Sequence, residues 1–71
     1  MSTQTITIRV NGEPRDVPHG ATIADLLDGL GIRPDRVAVE LNRAIVKQTH
    51  WAEIVLPPGA ELEIVQFVGG G

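Results

Sequence analysis

The chain has 71 residues and a formal net charge of −3, from six basic and nine acidic side chains. This length allows one small domain and no separate catalytic domain, and neither a basic stripe nor a set of aromatic stacking residues indicates a nucleic-acid partner. No apolar run is long enough to span a bilayer and no basic-then-apolar start is present, so we expect a cytoplasmic protein with no membrane partner.

The first predicted element is a β-hairpin. Apolar and polar residues alternate from Thr5 to Val10, which is the period of a strand with one buried face. Asn11-Gly12 follows directly, and this pair is typical of a type I′ turn, in which both central residues have positive φ. Residues 13–17 supply the return strand. Pro14 has no N–H to donate, so we expect this strand at an edge of the sheet.

One helix is predicted after the hairpin. Thr22 suits the N-cap position, and Asp25, three residues later, completes an acidic variant of the capping box. Gly31 fits the position just past the helix end. The apolar residues between these ends recur with the spacing of a single helical face: Ile23, Leu26, Leu27 and Leu30. This face is expected to lie on a sheet.

Two further strands and a turn are predicted in the middle of the chain. Residues 37–41 alternate as a third strand, Asn42-Arg43 suggests a tight reversal, and residues 44–46 are a candidate short fourth strand. A turn is expected over residues 49–53. Within it, Trp51 is interpreted as a core residue whose indole N–H needs a hydrogen-bond partner.

The last predicted strand covers residues 61–68 and follows the breaker Pro57-Pro58-Gly59. Alternation directs Leu62 and Ile64 inward. The element order is then strand, strand, helix, strand, short strand, strand. This order indicates an α+β roll, a mixed sheet of four to five strands with the one main helix on one face.

The same alternation places Val65 and Phe67 on the opposite face of the last strand, where they would form an exposed apolar patch that docks on a partner. Val68 would be the last anchored residue and part of that docking surface. The alternative is that Phe67 folds under a loop or that a bulge reverses the register. If the third strand pairs with the last, three carboxylates share the solvent face, either as a solvated surface or as a rim that orients a basic partner: Glu40, Glu61 and Glu63.

The chain ends in Gly69-Gly70-Gly71. Glycine has no Cβ, so such a tail can thread where any side chain would collide, and we expect it to enter a partner's active site. We assign residues 1–67 to one domain and residues 68–71 to a flexible tail. If extended, the tail spans roughly 13 Å at about 3.3 Å per residue.

Residue types that carry catalysis are scarce. Cysteine is absent, which excludes disulfides and thiolate catalysis and removes most structural zinc sites. His19 and His50 have no second histidine or paired carboxylate at ligand spacing, and Ser2 is the only serine. We therefore expect no metal site, no bound cofactor and no catalytic activity of the chain by itself.

Together these features resemble the ubiquitin-like β-grasp proteins and, more narrowly, the thiamine-biosynthesis sulfur carrier family, ThiS. The chain has Lys47-Gln48 where that family often has Pro-Arg, so a partner contact of that arginine is not carried over. The resemblance extends from Ile6 to Gly71 and rests on five segments: Val10-Asn11-Gly12-Glu13, residues 37–42, Ile45-Val46, Trp51-Ala52 and residues 67–71.

The resemblance implies a carrier and not an enzyme. An E1-like adenylyltransferase (ThiF-like) would use ATP to adenylate Gly71, with Gly69 and Gly70 inserted into its active site. A sulfur donor such as a cysteine desulfurase would then displace AMP and leave a terminal thiocarboxylate. In the family, a thiazole synthase (ThiG-like) accepts this sulfur for the thiazole ring of thiamine.

Two alternatives stay open from the sequence. The small subunit of molybdopterin synthase has the same fold and the same thiocarboxylate chemistry, but it remains in a stable complex with a catalytic subunit. The short length of this chain favours the thiamine branch. The other alternative is a ubiquitin-like interaction module whose tail carries no sulfur chemistry.

Overall fold

Five strands and one α-helix form the part of the chain that the computed structural model describes, residues 4–67. Two short 3-10 helices, Pro34–Arg36 and Gln48–His50, lie in the connections. The strands are β1 Thr5–Val10, β2 Glu13–Pro18, β3 Val37–Leu41, β4 Ala44–Val46 and β5 Glu61–Gln66, and the helix α1 spans Ile23–Gly29. None of the helices in residues 4–67 has the length and apolar character needed to cross a membrane.

The sheet is mixed, with the strand order β2-β1-β5-β3-β4. β5 lies in the centre, parallel to β1 and antiparallel to β3. The two hairpins, β1–β2 and β3–β4, therefore meet only through β5. The predicted α+β roll with one main helix on one face is confirmed.

Both predicted tight turns are confirmed by their backbone angles. Asn11 and Gly12 have φ of 51° and 84°, and Asn42 and Arg43 have φ of 49° and 72°. Positive φ at both central residues is what a type I′ turn requires, and it matches the twist of the strands on either side. Arg43 is the least expected of these residues, because a long side chain is uncommon at positive φ.

β2 is an edge strand, as Pro14 predicts. Val10 and Glu13 flank the two-residue turn, so they form a hydrogen-bonded pair, and alternation then turns the nitrogens of Pro14 and Pro18 away from β1. Neither proline can offer an N–H to a strand that approaches from outside. The free edge is thereby protected against further pairing.

The helix is only seven residues long and is fixed at both ends. The Thr22 Oγ1 accepts from the Asp25 N–H at 3.1 Å, and the Asp25 carboxylate accepts from the Thr22 N–H at 3.0 Å. This is the predicted capping box. At the other end Gly31 has φ of 71°, and the N–H groups of Gly31 and Ile32 donate to the carbonyls of Asp28 and Leu27, which is a Schellman motif.

The hydrophobic core lies between α1 and the inner face of the sheet. Trp51 is only 4% exposed, and its indole N–H donates to the Val46 carbonyl at 2.8 Å, so its predicted core role is confirmed. Leu30 is half-buried at the margin of the core. The side chains with almost no exposed area come from sheet, helix and the loop before β5: Ile8, Ile23, Leu27, Val39, Leu56 and Leu62.

The boundaries differ from the predicted ones in three places. β2 extends one residue further, to Pro18, and the predicted turn over residues 49–53 begins as the 3-10 helix Gln48–His50. β5 ends at Gln66, which pairs with the first residue of β3, so no strand residue remains to pair beyond it. Val68 and the assignment of residues 68–71 to a tail lie outside the described residues, and the domain boundary stays a prediction.

Candidate functional site

The candidate site is the carboxyl end of β5, which leads toward Gly71. β1 stops at Val10, opposite Leu62, so β5 runs on past its parallel neighbour. On the other side β3 accompanies it as far as Gln66, and the Phe67 N–H still donates to the Arg36 carbonyl at 2.8 Å. Phe67 therefore lies at the rim of the sheet, four residues before Gly71 in the sequence.

Exposed apolar side chains lie beside this end of the strand. Val65 is 57% exposed and Phe67 is 59% exposed. The predicted orientation of both residues is confirmed, and the alternative in which Phe67 folds under a loop is wrong. Their role in docking, and that of Val68, stays a prediction. Exposing large apolar side chains to water is unfavourable. A group of such side chains at one end of a strand is therefore typical of a protein interface.

Ile45 belongs to the same face but was not predicted there. It pairs with Glu40, which in turn pairs with Glu63, so the three share the outer face of the sheet. Ile45 is 76% exposed, the highest value among the large apolar residues described. Ala44, Ile45 and Val46 are all apolar, so alternation in the sequence does not indicate which face of the sheet the Ile45 side chain lies on. Only the register with β3 shows that it is the outer face.

Two carboxylates face each other in the middle of this surface. Glu40 lies directly opposite Glu63 on the neighbouring strand, and Glu61 lies two residues before Glu63. Like charges in such a pair oppose strand pairing. No ion pair within residues 4–67 neutralises any of the three. Arg9 of β1 lies opposite Glu61. The opposed pair Glu40 and Glu63 fits either a solvated face or an acidic rim, and its role toward a partner stays a prediction.

The helix side of the same end holds an open groove of about 510 Å³ between the β1–β2 turn and the end of α1. Its lining has no cluster of nucleophiles. Within residues 4–67, no group of three or more His, Cys, Asp or Glu side chains is placed to hold a metal ion. His50 lies on the surface with its Nδ1 3.8 Å from a Glu53 carboxylate oxygen. Gly69, Gly70 and Gly71, the predicted reactive tail, lie outside the described residues.

The chain is similar to known proteins over most of its length. The model of the ThiS family matches residues 8–71. A thiazole synthase of Magnetococcus marinus is 44% identical over 64 residues, which are 90% of this chain but only 20% of that protein, so the chain spans about a fifth of the relative's length. The sulfur carrier protein ThiS of Escherichia coli K12 is 28% identical over 90% of this chain and 97% of its own.

The fold has a counterpart among solved structures. The crystal structure of the thiamine biosynthesis protein ThiS from Geobacter metallireducens superposes with a TM-score of 0.80 at 28% identity, and the match covers 93% of this chain and all of that one. The roll described above is thus the ubiquitin-like β-grasp fold. Sequence and structure agree that the chain belongs to the ThiS family.

Proposed function

We propose that this chain carries sulfur as a thiocarboxylate on Gly71 and donates it to a thiazole synthase. The observation that carries the proposal is the match to the ThiS family over residues 8–71, which includes the three glycines. The exposed Val65 and Phe67 at the end of β5 support it, because they lie just before the segment that would be modified.

The chemistry proposed at Gly71 has three steps. An E1-like adenylyltransferase first joins the Gly71 carboxylate to AMP from ATP and releases pyrophosphate. The terminal sulfur of a persulfide on a donor such as a cysteine desulfurase then attacks the acyl carbon, the C–O bond to AMP breaks, and AMP leaves with the electron pair, which gives an acyl disulfide. A partner thiol finally attacks the donor sulfur and breaks the S–S bond, so that the thiocarboxylate leaves and the partner sulfurs form a disulfide. The carrier needs no cofactor for these steps, since ATP is bound by its partner.

The acceptor is proposed from a relative. A segment 44% identical to this chain forms part of a protein named thiazole synthase in Magnetococcus marinus. Such a fusion favours a ThiG-like thiazole synthase as the protein that receives the sulfur. It also favours the thiamine branch over a molybdopterin synthase subunit.

Docking is assigned to the outer face of the sheet. Phe67 supplies an aromatic anchor and Val65 an aliphatic neighbour. A docking role for Val68 is part of the proposal, although this residue lies outside the described range. Glu63 lies two residues before Val65 on the same face, opposite Glu40, and these carboxylates would orient a partner that bears arginine or lysine. The same face would serve the activating enzyme and the acceptor in turn.

The proposal is tested by intact mass. The purified chain is incubated with an E1-like adenylyltransferase, ATP and a sulfur donor, and the expected product is heavier by the difference between sulfur and oxygen. A reaction without ATP and a variant that lacks Gly71 are the controls, and neither should gain this mass. The deletion variant should fold normally, since it keeps every core residue of the described range.

Two outcomes would contradict the proposal. One is an unchanged mass under conditions that modify the E. coli sulfur carrier ThiS, which would instead support an interaction module without sulfur chemistry. The other is full sulfur transfer by the variant that lacks Gly71. Co-purification with a molybdopterin synthase subunit and not with thiazole synthase would move the chain to the other sulfur-carrier branch.

A further inference from the structure

Two asparagine side chains bind β5 from its two edges. On the β3 edge, Asn42 donates its backbone N–H to the Glu61 carbonyl at 2.7 Å, and its Oδ1 accepts from the Glu61 N–H at 2.9 Å. On the β1 edge, the Asn11 Oδ1 accepts from the Ile64 N–H at 2.7 Å, and its Nδ2 donates to the Ile64 carbonyl at 3.2 Å. Each asparagine thus satisfies both backbone groups of one β5 residue.

The Asn11 side chain takes the place of β1 where that strand no longer pairs with β5. β1 pairs with β5 only as far as Val10 and Leu62, and the Asn11 N–H makes the next bond, to the Leu62 carbonyl at 2.8 Å. In a parallel pair the alternate residues of one strand bond to the neighbour, so Ile64 is the next residue that needs a partner on this edge. The carboxamide presents an N–H donor and a carbonyl acceptor side by side, and these bond to the C=O and N–H of Ile64.

The positions of the two clamps along β5 differ. Asn42 holds the first residue of the strand, whereas Asn11 holds Ile64, three residues before Phe67. Among the described residues, the two Asn11 side-chain bonds are the last that β5 receives on its β1 edge. The other edge remains bonded to β3 through Gln66. Without Asn11, the end of β5 would be held on one side only.

We infer that Asn11 is a positioning residue for sulfur loading, because its carboxamide fixes the direction in which the chain leaves the sheet toward Gly71. This inference rests on the proposed function. A segment that is already ordered loses less conformational freedom when it enters an active site. Asn11 therefore lowers the cost of presenting the tail, and it does so through its bonds to β5.

The chain provides a matched control. Asn11 and Asn42 occupy the same position in type I′ turns, with φ of 51° and 49°, and glycine tolerates this conformation. Asn11→Gly and Asn42→Gly each keep the turn and remove side-chain bonds to β5. Only Asn11→Gly removes bonds close to Phe67, on the β1 edge of the strand, while the bonds to β3 remain. Asn11→Asp keeps the acceptor for the Ile64 N–H but loses the donor, and it replaces Asn11→Gly if the glycine variant does not fold.

The test combines two measurements on the full chain. In amide hydrogen exchange, Asn11→Gly should speed exchange at Ile64, whereas Asn42→Gly should speed it at Glu61. In thiocarboxylate formation by an E1-like adenylyltransferase, Asn11→Gly should raise the KM for the carrier roughly tenfold with kcat within about twofold, because the less ordered end of β5 must then be ordered on docking. Asn42→Gly should leave both constants within about twofold of the unmodified chain.

Either of two results would overturn the inference. Equal KM values for the two glycine variants would show that Asn11 matters only for stability, and unchanged exchange at Ile64 in Asn11→Gly would show that the clamp does not order the strand. If the unmodified chain gains no sulfur, the proposed function fails and the positioning role fails with it. If the unmodified chain is loaded and the variants do not differ, the inference alone fails.

Discussion

The two faces of the sheet differ in character, although the same strands form both. The inner face buries Val39 and Leu62 against the helix, whereas the outer face of the same two strands carries the opposed pair Glu40 and Glu63. Apolar side chains on the inner face are almost fully covered, while Phe67 at the outer rim is 59% exposed. The comparison shows that stability depends on one face, which leaves the other free to be selected for contact with partners.

Truncation in the core tests the stability side and has the largest expected effect. Leu27 has no exposed area, and Leu27→Ala should lower the free energy of unfolding by about 2–5 kcal/mol, from lost apolar burial and the cavity left behind. That is a large part of the total for a domain of this size. Thermal or urea unfolding measures it.

The control for Leu27→Ala lies on the outer face. Ile45 is 76% exposed, so Ile45→Ala should change the free energy of unfolding by no more than about 0.5 kcal/mol. Comparable losses from the two substitutions would remove the distinction between the faces.

Truncation at the rim tests the docking side. Phe67→Ala should weaken binding to an E1-like adenylyltransferase about tenfold or more, because an exposed aromatic beside the modified segment is a candidate anchor. Stability should change by no more than about 0.5 kcal/mol. Titration calorimetry and thermal unfolding measure the two quantities.

A matched variant tests whether the effect of Phe67→Ala on binding depends on the position of the side chain or only on its exposure. Val55 is 55% exposed but lies in the loop before β5, so Val55→Ala should leave binding unchanged. Unchanged affinity of Phe67→Ala, with the fold intact, would remove Phe67 from the docking surface.

Neutralising the Glu63 carboxylate has the smallest expected effect. It tests whether charge on the outer face contributes to binding separately from the apolar side chains. Glu63→Gln removes the repulsion with Glu40 and should stabilise the sheet by a few tenths of a kcal/mol, roughly the size of one cross-strand pair. It should also slow association with a basic partner and weaken the dependence of that rate on salt.

Stopped-flow association at two salt concentrations measures the electrostatic effect of Glu63→Gln. Glu13→Gln makes the same charge change on the edge strand β2 and should leave the association rate closer to that of the unmodified chain. If both variants slow association equally, net charge and not the position of Glu63 is responsible.

Local patterns in the sequence predicted most of the fold. Alternation located the strands, the Asn-Gly pair located the first turn, and Thr22 with Asp25 located the helix start, because each is decided by residues close together in the chain. The exposure of Val65 and Phe67 followed in the same way from Leu62 and Ile64 on the inner face.

Contacts between distant residues were not predictable in this way. The turn at Asn11 was predicted, but its hydrogen bonds to Ile64 depend on β5 lying parallel to β1, and residues 9 and 61 pair across most of the chain. The outward direction of Ile45 depends on its register with Glu40, since its own strand is apolar throughout. Predictions for Val68 to Gly71 rest on the sequence and on the family resemblance and not on described structure.

The central position of β5 links folding to the presentation of the tail. The β1–β2 and β3–β4 hairpins can each form locally, but they become one sheet only when β5 inserts between them. Such long-range pairing forms late, because the chain must first close a long loop. The outer face is therefore complete only when β5 is in place. Under the proposed function, an activating enzyme that recognises this face would discriminate folded carriers from unfolded ones, and ATP would not be consumed on chains that cannot deliver sulfur.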